Sequence, residues 1–280
     1  MRTSVLFLIG LLLLLPFSNF IEARTSRFEK VFIVIFENTN YQDAAARPFF
    51  LKLASEGATL KNFHAETHPS QPNYIALISG SQNGCTGNGS INIDALNITD
   101  LLAKKGKSWK VYAEAYPGKC FLGDNSTTYA RRHNPFVSFK SIQSNVDKCS
   151  RIVDASELAG DIEKGNLSDY SFYIPDVRND GHDTGVAFAD TWYSARFGPL
   201  LKDARFMKGM LLVSTFDESG PFEPTNHIYT SLYGAGVKPG ASSNTHYTHY
   251  DLLRTIEDAW DLGVMSTQDK AAVSIADVWQ

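Results

Sequence analysis

Val31-Phe-Ile-Val-Ile-Phe36, followed at once by Glu37-Asn38, is the stretch on which the architecture turns. Six apolar residues in a row leave no polar face. Such a run reads as a strand buried on both sides, and strands of that kind belong to parallel sheets covered by helices. It stops abruptly at two polar groups. In open α/β sheets the carboxyl edge of the strands is where ligands bind, so Glu37 and Asn38 stand at a candidate site. The pattern recurs twice. Tyr170–Ile174 runs into Asp176, Asp180, His182 and Asp183, and Met210–Phe216 runs into Asp217-Glu218. Trp109–Ala115 reads as a further strand. Helical patterns lie between, over Phe49–Glu56 with Gly57 as C-cap, over Asn97–Lys105, and over Leu252–Trp260 behind Asp251 as N-cap. This alternation predicts an α/β fold, a mostly parallel central sheet flanked by helices on both faces in a three-layer sandwich.

Thr67-His-Pro-Ser-Gln-Pro-Asn-Tyr-Ile-Ala-Leu-Ile-Ser-Gly80 supplies the reactive group. Pro72 suits the first turn of a helix and Ser70 suits its cap, with Gly80 at the far end. A serine hydroxyl there faces free backbone N–H groups and the positive end of the helix dipole, which favour an anion. It can act as a nucleophile toward phosphorus or a carbonyl. No Gly-x-Ser-x-Gly elbow surrounds it, which argues against a Ser/His/Asp hydrolase. Three apolar strands each ending in carboxylates, with no adjacent base to neutralise them, would repel one another unless a cation bound among them.

Composition sets the class. The chain has 280 residues, 43% apolar and 20% charged, enough for one well-packed domain over residues 24–280. A net charge of −4, without lysine or arginine runs, offers no field for nucleic acid. Arg2 precedes an apolar run from Val5 to Phe17, too short to span a bilayer. Residues 1–23 therefore read as a secretory signal peptide, and no later segment is long enough for an integral membrane span. Acceptor sequons at Asn88, Asn97, Asn125 and Asn166 fit a glycosylated, secreted protein. Of the three cysteines, Cys120 and Cys149 bracket a loop-rich region and are the expected disulfide; a bridge through Cys85 stays open.

Phe36-Glu-Asn38, His68-Pro-Ser-Gln-Pro-Asn-Tyr74, Arg132-His-Asn-Pro-Phe136, Pro175-Asp176 with Asn179-Asp180 and His182-Asp183, and Phe216-Asp-Glu218 occur in that order. Together they resemble the phosphoesterase family of secreted acid phosphatases and phosphatidylcholine-type phospholipases C, within the alkaline-phosphatase-like superfamily. The resemblance covers roughly residues 30–262. It implies a phosphoserine intermediate on Ser70 and a divalent metal (Mg, Ca, Mn or Zn) held by Glu37, Asn38, Asp217, Glu218 and Ser70. It further implies phosphoryl contacts from Asn73, His133 and His182, with His182 also suited to protonate the leaving group, and room for a second metal at Asp176, Asp180 and His249. The expected activity is an acid phosphatase acting on a small phosphorylated substrate. The alternatives are a phospholipase C-type phosphodiesterase and a non-enzymatic secreted glycoprotein on the same scaffold.

Overall fold

Strands of the predicted kind fill the centre of a computed structural model that describes residues 26–280; residues 1–23, where a signal peptide is expected, lie outside the described residues. In chain order the sheet strands are β1 (Lys30–Phe36), β2 (Ala58–Leu60), β3 (Trp109–Ala113), β4 (Ile152–Asp154), β5 (Tyr170–Ile174), β6 (Met210–Phe216), β7 (Thr230–Gly234) and β8 (Ala241–Ser243). They lie side by side as β8-β2-β7-β6-β1-β5-β3-β4. Pairing is parallel from β6 through β1, β5 and β3 to β4. Only β7 runs against its neighbours β6 and β2.

Burial explains why β1 is central. Every residue from Val31 to Phe36 is fully buried, which requires cover on both faces. Alternation sends Phe32 and Phe36 to one side. There Phe36 packs against Phe50 of helix α1 (Pro48–Glu56), at 5.0 Å between ring centroids, and against Tyr193 of a helix spanning Val186–Phe197, at 4.9 Å. Helix α2 (Ser70–Ser79) is buried along its whole length and packs against the C-terminal helix His249–Ala259.

Two helix starts differ from expectation. Ser70 is the first helical residue, with Pro69 as N-cap, and its hydroxyl makes no capping bond because it turns into the site. The C-terminal helix starts at His249 rather than Leu252. Thr248 is its cap, and Asp251 is the reciprocal partner in a capping box. Gly80 ends α2 with φ 65°, the left-handed position glycine favours. Cys120 and Cys149 form the disulfide, with Cα atoms 5.5 Å apart, and Cys85 is a buried thiol. Asn97 corrects the glycan expectation at that sequon. Its side chain is fully buried as the N-cap of the helix Ile98–Lys104, so a sugar there is incompatible with the fold. Asn88, Asn125 and Asn166 are exposed.

Candidate active site

Parallel pairing brings the strand ends together. Phe36 lies opposite Phe216 in the β1–β6 register, so Glu37 and Asp217 leave the sheet side by side. The backbone N–H of Asp217 donates to the Phe36 carbonyl at 2.9 Å. Asn38 follows at φ 47°, a left-handed conformation that asparagine tolerates. Its N–H donates to Asp217 Oδ1 at 3.2 Å, and the residue borders an open cleft beside His182.

Ser70 enters this edge from the N-terminus of α2. Its Oγ is 3.0 Å from Glu37 Oε2 and 2.9 Å from Glu218 Oε1. A hydroxyl has one proton, so it donates to one of these carboxylates at a time. The other oxygens have partners of their own. Tyr74, one helical turn beyond Ser70 and therefore on the same face, donates to Glu37 Oε1 at 2.8 Å. The His68 Nδ1 pairs with Glu218 Oε2. The His133 ring stacks on Tyr74 and sits between two carboxylates, with Nε2 2.9 Å from Glu37 Oε1 and Nδ1 3.1 Å from Asp180 Oδ2.

The electrostatics divide the site. Burial works against a charged His133, but the Glu37 and Asp180 carboxylates outweigh it and raise its pKa to about 9. The His133 charge likewise overcomes burial at Glu37 and holds that carboxyl below its usual range. Asp180 is pushed up to about 6 by burial, with His133 opposing. Asp217 is driven well above the usual range by burial and by the charges of Glu37 and Glu218. Its Oδ2 is buried without a hydrogen-bond partner. An orphaned carboxylate oxygen among like charges is the signature of a cation position. Glu37, Asp217 and Glu218 each offer an oxygen within 4.8 Å of the others. These oxygens and the Ser70 hydroxyl make a hard donor set that fits Mg, Ca or Mn and would also accept Zn.

Not every expected residue joins them. Asp180 sits with Glu37 and His133 instead of with Asp176 and His249, so the second-metal trio is not assembled. Asp176 accepts from the N–H groups of Arg178 and Asn179 and from the Thr128 hydroxyl, a turn-forming role. His249 is buried against Phe63 and bonds the Phe216 carbonyl at 3.0 Å, and burial lowers its pKa to about 4. Asn73 spends its whole amide on the loop before α2. Its Oδ1 accepts from the N–H groups of Glu66 and Thr67, and its Nδ2 donates to the carbonyls of Thr67 and Pro69. In this arrangement it shapes the turn that delivers Ser70 and leaves no donor for phosphate. His182 faces the cleft 5.8 Å from the His133 ring, with Nδ1 2.7 Å from Asp183 Oδ1. Arg132 Nη2 lies 3.3 Å from His182 Nε2. Arginine can only donate, so Nε2 is the acceptor. His68, Tyr74 and Arg132 all lie inside the motif strings without an expected site role; only for Tyr74, four residues beyond Ser70 on a helix, does spacing carry a signal that could have found it.

The Phosphoesterase family profile matches residues 17–263. A probable acid phosphatase of Kluyveromyces lactis is 36% identical over 255 residues, covering 86% of this chain and 60% of that protein. An acid phosphatase of Aspergillus fumigatus is 33% identical over 269 residues, covering 92% and 60%. A phosphatidylinositol-3-phosphatase of Mycobacterium tuberculosis is 32% identical over 257 residues, covering 90% and 83%. The chain thus spans 60% of the length of the two fungal relatives. Among solved structures, a protein in the alkaline phosphatase superfamily from Vibrio parahaemolyticus superposes with a TM-score of 0.61 at 12% identity, covering 86% of this chain and 69% of that one. The phosphonate monoester hydrolase of Agrobacterium radiobacter gives 0.58 at 11% identity, with 88% and 76% covered. At such identities the likeness concerns the fold, which is alkaline-phosphatase-like.

Proposed function

This chain belongs to the Phosphoesterase family, and from that premise we propose that it is a secreted acid phosphatase that cleaves phosphomonoesters through a phosphoserine intermediate. The observation that carries the reading is the Ser70 hydroxyl, set at a helix N-terminus within hydrogen-bond reach of two buried carboxylates beside the unpaired Asp217 Oδ2. A phosphatase nucleophile needs a proton acceptor before attack and positive charge around phosphorus during it.

The chain's own groups divide that work. Ser70 Oγ gives its proton to one of its two carboxylate partners and bonds phosphorus, as the ester P–O bond breaks on the opposite side. The N–H groups at the head of α2 face the equatorial oxygens, and His133, whose two nitrogens are held by Glu37 and Asp180, adds positive charge from behind the carboxylates. The leaving oxygen takes a proton from water, or from His182 once Arg132 has left its Nε2 and that nitrogen has itself taken a proton from solvent. Water then attacks the phosphoserine, and Ser70 regains its proton. A divalent ion held by Glu37, Asp217 and Glu218, with Asn38 and Ser70 beside them, supplies the charge that lowers the proton affinity of the hydroxyl. The disulfide supports an oxidising compartment and hence secretion, with residues 1–23 as the cleaved signal.

The test is turnover of p-nitrophenyl phosphate and bis(p-nitrophenyl) phosphate, with and without chelator. Wild type should prefer the monoester and lose activity on chelation. Ser70→Ala should fold normally and lose at least ~1,000-fold in kcat, as removal of a covalent nucleophile does. Near-normal turnover by that variant would overturn the mechanism.

A further inference from the structure

Arg132 is a half-buried guanidinium whose ordinary partner is missing. Among the described residues its one polar side-chain contact is the His182 Nε2, and no carboxylate pairs with it. Its neighbour Arg131 is different, being buried and bonded to the carbonyls of Leu122 and Ile91. Arg132 precedes His133, which contacts Glu37, which in turn contacts Ser70. The guanidinium therefore stands a short way from the nucleophile with an unspent charge.

It also borders a cavity of about 240 Å³ that reaches Gln71, the residue after Ser70. Asn88, Ser90, Asp124, Asn125 and Arg131 complete the side-chain lining, and no apolar side chain contributes to it. Asn88 Oδ1 holds the Gln71 N–H at 3.0 Å, and the Asp124 carboxylate accepts from Ser90. An acyl chain or an aromatic ring would meet only polar groups there and leave them unsatisfied. Hydroxyl groups would satisfy them. The volume lies below the ~300 Å³ of sites for drug-sized ligands and suits a sugar or a short hydroxy acid.

Building on the phosphatase reading, we propose that this cavity seats the alcohol part of the substrate and that Arg132 binds a second anionic group on it. The favoured substrates are then phosphomonoesters of small polyhydroxy compounds carrying a carboxylate or a further phosphate. Asp124 and Ser90 take the hydroxyl end, while Arg132 takes the anion with its planar fork of donors.

Arg132→Gln tests this with 3-phosphoglycerate and fructose 1,6-bisphosphate against glucose 6-phosphate, which is polyhydroxy but has no second anion. Relative to glucose 6-phosphate, kcat/KM for the two probes that carry a second anionic group should fall at least 10-fold in the variant, and Arg132→Lys should restore part of the preference. An unchanged ratio overturns the proposal. Calorimetric binding of 3-phosphoglycerate and glucose 6-phosphate to Ser70→Ala protein, with and without Arg132→Gln, reads the subsite independently of turnover. If wild type hydrolyses none of the probes but Ser70→Ala binds 3-phosphoglycerate in an Arg132-dependent way, the phosphatase reading fails and the anion subsite stands. If neither turnover nor binding discriminates the probes, the subsite fails.

Discussion

Single side chains show where charge is stored. Asp217 is buried among carboxylates with one oxygen unpaired, so its charge is unfavourable until a cation neutralises it. Asp217→Asn should therefore act with opposite signs on two observables. In chelator it should raise stability by on the order of 1 kcal/mol, and it should weaken divalent-ion binding by at least 10-fold. Thermal unfolding with and without metal checks this; a variant less stable in chelator would show that Asp217 is satisfied by the protein alone. His68 pairs with Glu218 on the side away from Ser70, so it acts by orienting that carboxylate. His68→Ala should cut metal affinity roughly 10-fold, as loss of such outer partners does. Isothermal titration with Mn reads that change, and unaltered affinity would remove His68 from the site's support. At this scale Glu37, Asp217, Glu218 and Ser70 were legible because each ends an apolar strand or opens a helix. Asn73, His68 and Arg132 were not, since their work depends on which neighbour they face, and spacing carries no such information.

Elements reveal a second reserve of strain, in a carboxylate that takes no part in the site. Glu257 on the C-terminal helix is buried with both carboxylate oxygens unpaired. Burial, followed by the neighbouring Asp269 charge, pushes its pKa to about 9. The folded chain thus holds a proton that the unfolded chain releases near the ordinary carboxyl value of 4.5. Between these two values the folded state binds more protons, so stability falls as pH rises through that window. Glu257→Gln should flatten the dependence and stabilise the protein at pH 8 by on the order of 1–2 kcal/mol, with little change at pH 4. Urea unfolding at both pH values decides; equal effects would mean that Glu257 is ionised in the fold. The parallel strands were legible from their unbroken apolar runs. Strand β7, Thr230-Ser-Leu-Tyr-Gly234, was not, because its polar residues gain burial only from pairing with β6 and β2. The start of the C-terminal helix was misplaced for a related reason. Thr248 and Asp251 cap it jointly, and either alone reads as the cap.

Taken whole, the molecule closes an irregular region with the Cys120–Cys149 bridge, whose ends are 29 residues apart in sequence. Loop-closure entropy assigns such a link about 3.6 kcal/mol. Cys120→Ser should lower the unfolding free energy by that order while leaving the Ser70 site intact, and an unchanged urea midpoint would assign the bridge no structural weight. The layered fold was visible in the chain because its signal, apolar runs alternating with amphipathic ones, is local. The sheet order was not, because it is set by partners distant in sequence. That order has a consequence for synthesis. Strand β1 pairs Val31 with Tyr170 on one side and with Leu211 on the other. A ribosome adding about 5–20 residues per second needs roughly 7–30 s to deliver even the nearer partner. Throughout that interval the most apolar strand of the fold is a nascent segment without its neighbours. An apolar strand left without neighbours in this way is the kind of surface that aggregates or that chaperones cover.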